Sequence, residues 1–113
     1  MKEALLSLKN KDFIYRCLQI LINSHRQKDF EKLTDPDFCK NLFDMNYAIL
    51  QEVALYDDLP QTSFCDHCGN RRYYPQPVEG FGKRYIVCND WYYKGKTSVR
   101  DTRTDFVNWV FRI

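Results

Sequence analysis

Apolar residues recur three or four apart through the first half of this chain. In "NKDFIYRCLQILINSHRQKD", Phe13, Ile14, Cys17, Leu18, Leu21 and Ile22 form one stripe at helical spacing. Asn10 is a good N-cap, Asp12 suits a first turn, and His25, Arg26 and Lys28 suit a last turn where carbonyls are exposed. A second helix is expected to open at "LTDPDF", with Thr34 and Asp37 as a capping box and Pro36 in the first turn. Phe38, Leu42, Met45, Ile49 and Val53 then recur, and Phe43, Leu50 and Tyr56 widen the face. That helix should run to about Tyr56 and stop before Pro60. Two such helices, joined across Asp29 to Leu33, pack as an antiparallel hairpin.

After Pro60 the pattern changes to short runs of Tyr, Val, Ile and Trp between Gly, Pro and Asn, the punctuation of a small antiparallel sheet. "RRYYP" reads as a strand ended by Pro75 and Pro77. "PVEGFGK" reads as a loop through Gly80 and Gly82, and "KRYIVCNDWYY" as a second strand followed by a turn at Gly95. In "TDFVNWVFRI" alternation puts Val107, Trp109, Phe111 and Ile113 on one face, which favours a strand; Phe106, Trp109, Val110 and Ile113 also make a helical stripe. The fold class is therefore α+β: an N-terminal helical hairpin (1–60) packed on a basic, aromatic β subdomain (61–113), together one domain.

Charge sharpens that division. Residues 1–60 carry 8 Lys and Arg against 10 Asp and Glu, whereas residues 61–113 carry 9 against 5. The second part also holds 11 of the 18 aromatic residues, so it is the part expected to meet a partner. Apolar runs are too short to cross a bilayer, and "MKEALLSLKN" does not read as a secretory leader. Five cysteines, an odd number, fit reduced thiols in the cytoplasm better than a disulfide framework.

The chemistry concentrates in "FCDHCGNRRYYP" and "RYIVCNDW". Cys65 and Cys68 form a CxxC turn with Gly69 directly behind it, and 19 residues separate Cys68 from Cys88. This arrangement resembles a zinc ribbon, with "CDHCGNRRYY" like the first knuckle and strand and "RYIVCNDW" like the second. The resemblance covers about thirty residues. It implies a structural zinc ion and a role in binding nucleic acid or protein. The fourth cysteine of that pattern is replaced by Trp91, which cannot coordinate zinc. The ligand set is then Cys65, Cys68 and Cys88 with Asp90; Cys39, His25, His67 or a water are the other candidates for the fourth place, and a metal-free remnant is the plainer alternative. A redox CxxC belongs at the start of a helix, and "GNRRYYPQP" is a poor helix former. Cys17 and Cys39 fall on apolar helical faces and read as small core residues.

Arg71, Arg72, Tyr73 and Tyr74 follow the first knuckle, with Lys83 and Arg84 on the opposing strand and Tyr92 and Lys94 beyond it. Arg and Lys neutralise phosphates while exposed rings stack on unpaired bases. Strand alternation limits any one face to half of this set. The same residue types also serve protein interfaces, so the alternative is a metal-free adaptor or inhibitor that grips a protein partner. Asp101, Arg103 and Asp105 in "VRDTRTD", with Glu79, are the only carboxylate-rich grouping that evokes a metal-dependent hydrolase, and such a run reads more simply as a solvated turn. Binding, not catalysis, is the expected function.

Overall fold

The computed structural model describes residues 2–55, 71–92 and 101–112. These form five helices and a three-stranded antiparallel sheet, which makes the fold α+β. The helices are α1 (Lys2–Leu6), α2 (Asn10–Asn23), α3 (Gln27–Lys32), α4 (Pro36–Phe43) and α5 (Arg103–Arg112). The strands are β1 (Leu50–Val53), β2 (Tyr73–Gly80) and β3 (Lys83–Cys88), in the spatial order β1-β3-β2.

Helix α2 buries the expected stripe: Phe13, Ile14, Cys17, Leu18 and Leu21 are inaccessible to solvent. Its ends differ from expectation. Lys9, not Asn10, is the N-cap, and the helix closes at Asn23, so His25, Arg26 and Lys28 lie beyond it. His25 takes a left-handed conformation (φ 57°) that turns the chain into α3. Asn10, freed from capping, spends its side chain on tertiary bonds.

The long second helix is replaced by α4 and β1, and α3 occupies most of the expected linker. Asp35, rather than Thr34, caps α4, its carboxylate accepting the backbone N–H of Asp37 at 2.9 Å and of Phe38 at 3.5 Å; Pro36 sits at the first turn as expected. Asp44 then ends α4 in the left-handed region (φ 56°), a conformation that Asp tolerates better than most residues. Beyond it, Met45, Ile49 and Val53 are buried, the last in a strand. A spacing of four satisfies a two-residue strand period as well as a helical one, which is why that stretch reads as helix from the sequence.

Strand β1 pairs with β3 (Leu50 opposite Val87, Val53 opposite Arg84), and β2 pairs with the other side of β3 (Tyr73 opposite Cys88, Gly80 opposite Lys83). β2 does not end at Pro75 and Pro77 but runs through them. It is an edge strand, where a missing N–H costs no ladder bond, and the register shifts between Tyr74 and Val78 across the prolines. The expected Gly80–Gly82 loop is a tight hairpin whose two turn residues, Phe81 (φ 56°) and Gly82 (φ 80°), are both left-handed. Phe81 is bulky for this position and is held by edge-on packing against Phe30 at 5.3 Å. Gly80 lies against α2 and α3; a Cβ there would come within 3.1 Å of Ile22 and 3.3 Å of Phe30.

The C-terminal segment is helix α5 and not a strand. Its buried residues, Arg103, Phe106, Val107 and Val110, keep the three-and-four spacing of a helix. Phe106 stands at the centre of an aromatic cluster, 5.2 Å from Trp91, 5.3 Å from Phe43, 5.9 Å from Trp109 and 6.3 Å from Phe13 between ring centroids.

Arg103 also overturns the reading of "VRDTRTD" as a solvated turn. Asp101 caps α5, its carboxylate accepting from the N–H and hydroxyl of Thr104, both at 2.8 Å. Arg103 is only 1% exposed. Its Nη2 reaches the carbonyls of Leu5 (3.2 Å), Leu6 (2.9 Å) and Leu8 (2.7 Å) at the end of α1, and Nη1 donates to Asn10 Oδ1 at 3.1 Å. The guanidinium plane lies 4.3 Å from the Phe13 ring. Hydrogen bonds to a charged donor contribute roughly 1.5–3 kcal/mol each, and carbonyls stripped of it stay buried. Arg103→Met, matched in bulk but without donors, should therefore cost about 3–5 kcal/mol in chemical denaturation. Arg103→Lys should recover only part, because an ammonium cannot span the fork that reaches both helices.

Candidate functional site

The second knuckle is built where β3 ends. Cys88, its last residue, is fully buried. Its N–H donates to Ile49 O at 2.8 Å, its carbonyl accepts the Trp91 indole N–H at 2.7 Å, and its sulfur accepts the Asp90 N–H at 3.2 Å. An amide aimed at sulfur is the feature a zinc knuckle uses to favour thiolate. Burial acts the other way and pushes the Cys88 thiol up to about 12, so without a bound cation the sulfur stays protonated.

Trp91 explains the missing cysteine. It is 3% exposed, and its ring packs edge-on against Phe13 at 5.7 Å and at a tilt against Phe106. At the position where the ribbon pattern has a ligand, this chain has a core anchor. Asp90 is half-buried, and its Oδ2 accepts from the Asn46 side-chain amide at 3.3 Å. Cys39 has other duties: its thiol donates to Leu33 O at 3.6 Å and accepts the Ile49 N–H at 3.4 Å, and burial raises it to about 11. Cys17 is buried in α2, its thiol raised to about 12 by burial despite the nearby Arg103 charge. His25 is exposed in the α2–α3 turn. Cys65, Cys68 and His67 lie outside the described residues. Among the described residues no three His, Cys, Asp or Glu side chains gather as a metal site.

The basic and aromatic positions divide sharply. Tyr73 is buried, its hydroxyl donating to Ala48 O at 2.9 Å, and Tyr74 packs beside Tyr15 of α2 with ring centroids 6.0 Å apart. Neither ring is presented for stacking. Lys83 is exposed but shares a 3.6 Å ion pair with Glu52 across the sheet. Arg84 is half-buried in β3 between Val53 and Glu79. Arg71 is exposed, and Arg72 lies over the Tyr47 ring at 4.5 Å. No carboxylate among the described residues forms an ion pair with either arginine. Tyr92 is 38% exposed; Lys94 lies outside the described residues.

Two residues that belong to this surface escape a sequence reading. Tyr47 and Asn46 fall inside the stretch that reads as helix, and only its break at Asp44 brings them beside Arg72 and Asp90. The hydrolase grouping does not assemble around a common centre by its contacts: Asp101 caps α5, Asp105 lies exposed on that helix, and Glu79 sits opposite Arg84 in β2. No helix among the described residues is long and apolar enough to cross a membrane.

No family model, curated protein or solved structure matches the chain. Completing the ribbon pattern by Trp91→Cys should harm the protein. With chelator present, the lost ring contacts should cost about 3–5 kcal/mol in denaturant unfolding. A variant as stable as the parent would show that the indole is not an anchor.

Proposed function

We propose that the protein is a small, non-catalytic binding protein that contacts nucleic acid through the sheet end carrying Arg71 and Arg72. The observation that carries this reading is the adjacent pair of arginines without acidic partners among the described residues, one of them stacked on Tyr47. Lys40, Lys83 and Arg26, by contrast, are matched by Asp44, Glu52 and Asp29. A guanidinium held flat on an aromatic ring is pre-oriented, so less side-chain freedom is lost when it meets a phosphate. With Tyr73 and Tyr74 turned inward, contact rests on the phosphate backbone more than on base stacking, with Tyr92 as the exposed ring. A cytoplasmic setting accords with the buried free thiols of Cys17, Cys39 and Cys88.

Zinc belongs to the same proposal. Cys65, Cys68 and Cys88 with Asp90 would hold it, and the ion would fix the β2–β3 end beside Arg71 and Arg72; the Asp90 amide on the Cys88 sulfur favours the thiolate form such a site needs. Protein purified without chelator should carry close to one zinc per chain by elemental analysis, and Cys65→Ser should remove it. A folded, reduced protein with no metal rejects the zinc and leaves the arginine surface to be judged by itself.

Affinity for short single- and double-stranded oligonucleotides should fall steeply between low and moderate salt, as counterion release requires. Arg71→Glu with Arg72→Glu should weaken binding by about two orders of magnitude at low salt and flatten the salt slope by about two phosphates. Absence of salt-sensitive binding would favour the alternative, a protein-binding adaptor or inhibitor.

A further inference from the structure

Helix α5 has one face that no described residue covers. Phe106, Val107 and Val110 bury its inner side, while Asp105, Asn108 and Arg112 lie along the outer side within about two turns. Beside them α4 contributes Leu42, the most exposed large apolar residue among those described at 47%. A cleft of about 240 Å³ runs between the two helices, with Phe43 and Trp109 as its floor and these residues on its rim.

We infer that this face is a two-fold contact between two copies of the chain. The charge pattern carries the choice of occupant. Asp105 and Arg112 are seven residues apart, and the midpoint between them falls at Asn108 and Trp109. When two α5 helices pack antiparallel about that midpoint, Asp105 of each copy meets Arg112 of the other, giving two identical ion pairs from one surface. This is the self-complementarity that an isologous interface demands. Among the described residues neither the Asp105 nor the Arg112 side chain makes an ion pair or hydrogen bond. The Asn108 side chain, at the centre, accepts from the exposed Lys2 ammonium at 3.3 Å. The apolar material flanks the axis, since Leu42 and Trp109 stand on the same side of α5 and cover one another's exposed area when the copies meet. The contact is distinct from the Arg71 and Arg72 surface, so it does not rest on the nucleic-acid reading.

Sedimentation equilibrium of the full chain, from low micromolar to high micromolar concentration, should show reversible monomer–dimer exchange. Asp105→Arg alone and Arg112→Asp alone each bring like charges together twice and should weaken dimerisation at least about tenfold. The double variant Asp105→Arg/Arg112→Asp should restore it to within about threefold of the parent, because only the direction of each pair is reversed. Both residues are exposed, so the monomer should stay folded, and thermal melting checks this. If a reversed charge perturbs α5, the neutral variants Asp105→Asn and Arg112→Gln provide the same test, each weakening the dimer. A monomer at every concentration overturns the inference. So does a dimer that ignores the single reversals, or one that the double reversal fails to rescue.

Discussion

The structure hangs on one buried guanidinium. Arg103 is the first residue of α5, yet its side chain closes the end of α1 and reaches the start of α2, so three helices meet on a single planar cation. Taking a charge out of water is costly, and only dense hydrogen bonding offsets that cost. The last carbonyls of α1 supply it, and they gain in turn, because a short helix otherwise leaves those acceptors unmet. Phe13 beneath the guanidinium connects this polar junction to the apolar core. Arg26 repeats the device at the other end of α5, donating from Nη1 to Val110 O at 2.6 Å while pairing with Asp29 at 3.2 Å. Both ends of α5 are thus tied by arginines, one its own and one from the α2–α3 turn.

A second junction closes the sheet. The ladder between β1 and β3 reaches the Cys88 N–H, which donates to Ile49 O, but two side chains replace the reciprocal bond. Ile49 gives its N–H to the Cys39 sulfur, and Cys88 gives its carbonyl to the Trp91 indole. The first links β1 to α4, and the second folds the chain after β3 back toward Phe13 and Phe106. Cys39, Cys88 and Trp91 are in this sense components of packing. That role gives Trp91 a reason to be there that has nothing to do with coordination.

Helix α2 was legible because its stripe is long and its period cannot be mistaken: Phe13, Ile14, Cys17, Leu18 and Leu21 are buried together. The hairpin strands were legible through their Tyr, Val and Ile content, although the prolines hid the true length of β2, since an edge position is a property of the sheet. Met45, Ile49 and Val53 misled because a four-residue spacing serves helix and strand alike. In α5 the alternation of Val107, Trp109 and Phe111 competed with a true helical stripe, and burial went to Phe106, Val107 and Val110. Of the candidate binding residues, Arg71 and Tyr92 are exposed as a surface reading requires, while Tyr73 is sealed by its bond to Ala48.

The sequence alone therefore determined the α+β class, the amphipathic face of α2, the strand-rich region after Pro60 and the concentration of positive charge there, because these depend on local composition and periodicity. Tertiary structure decided which charges face water. Whether an arginine stands in solvent, like Arg71, or is a buried clamp, like Arg103, turns on carbonyls more than ninety residues away. No local pattern encodes that distance. It emerges only when helix ends with unmet acceptors are brought against a cation that cannot lose its charge.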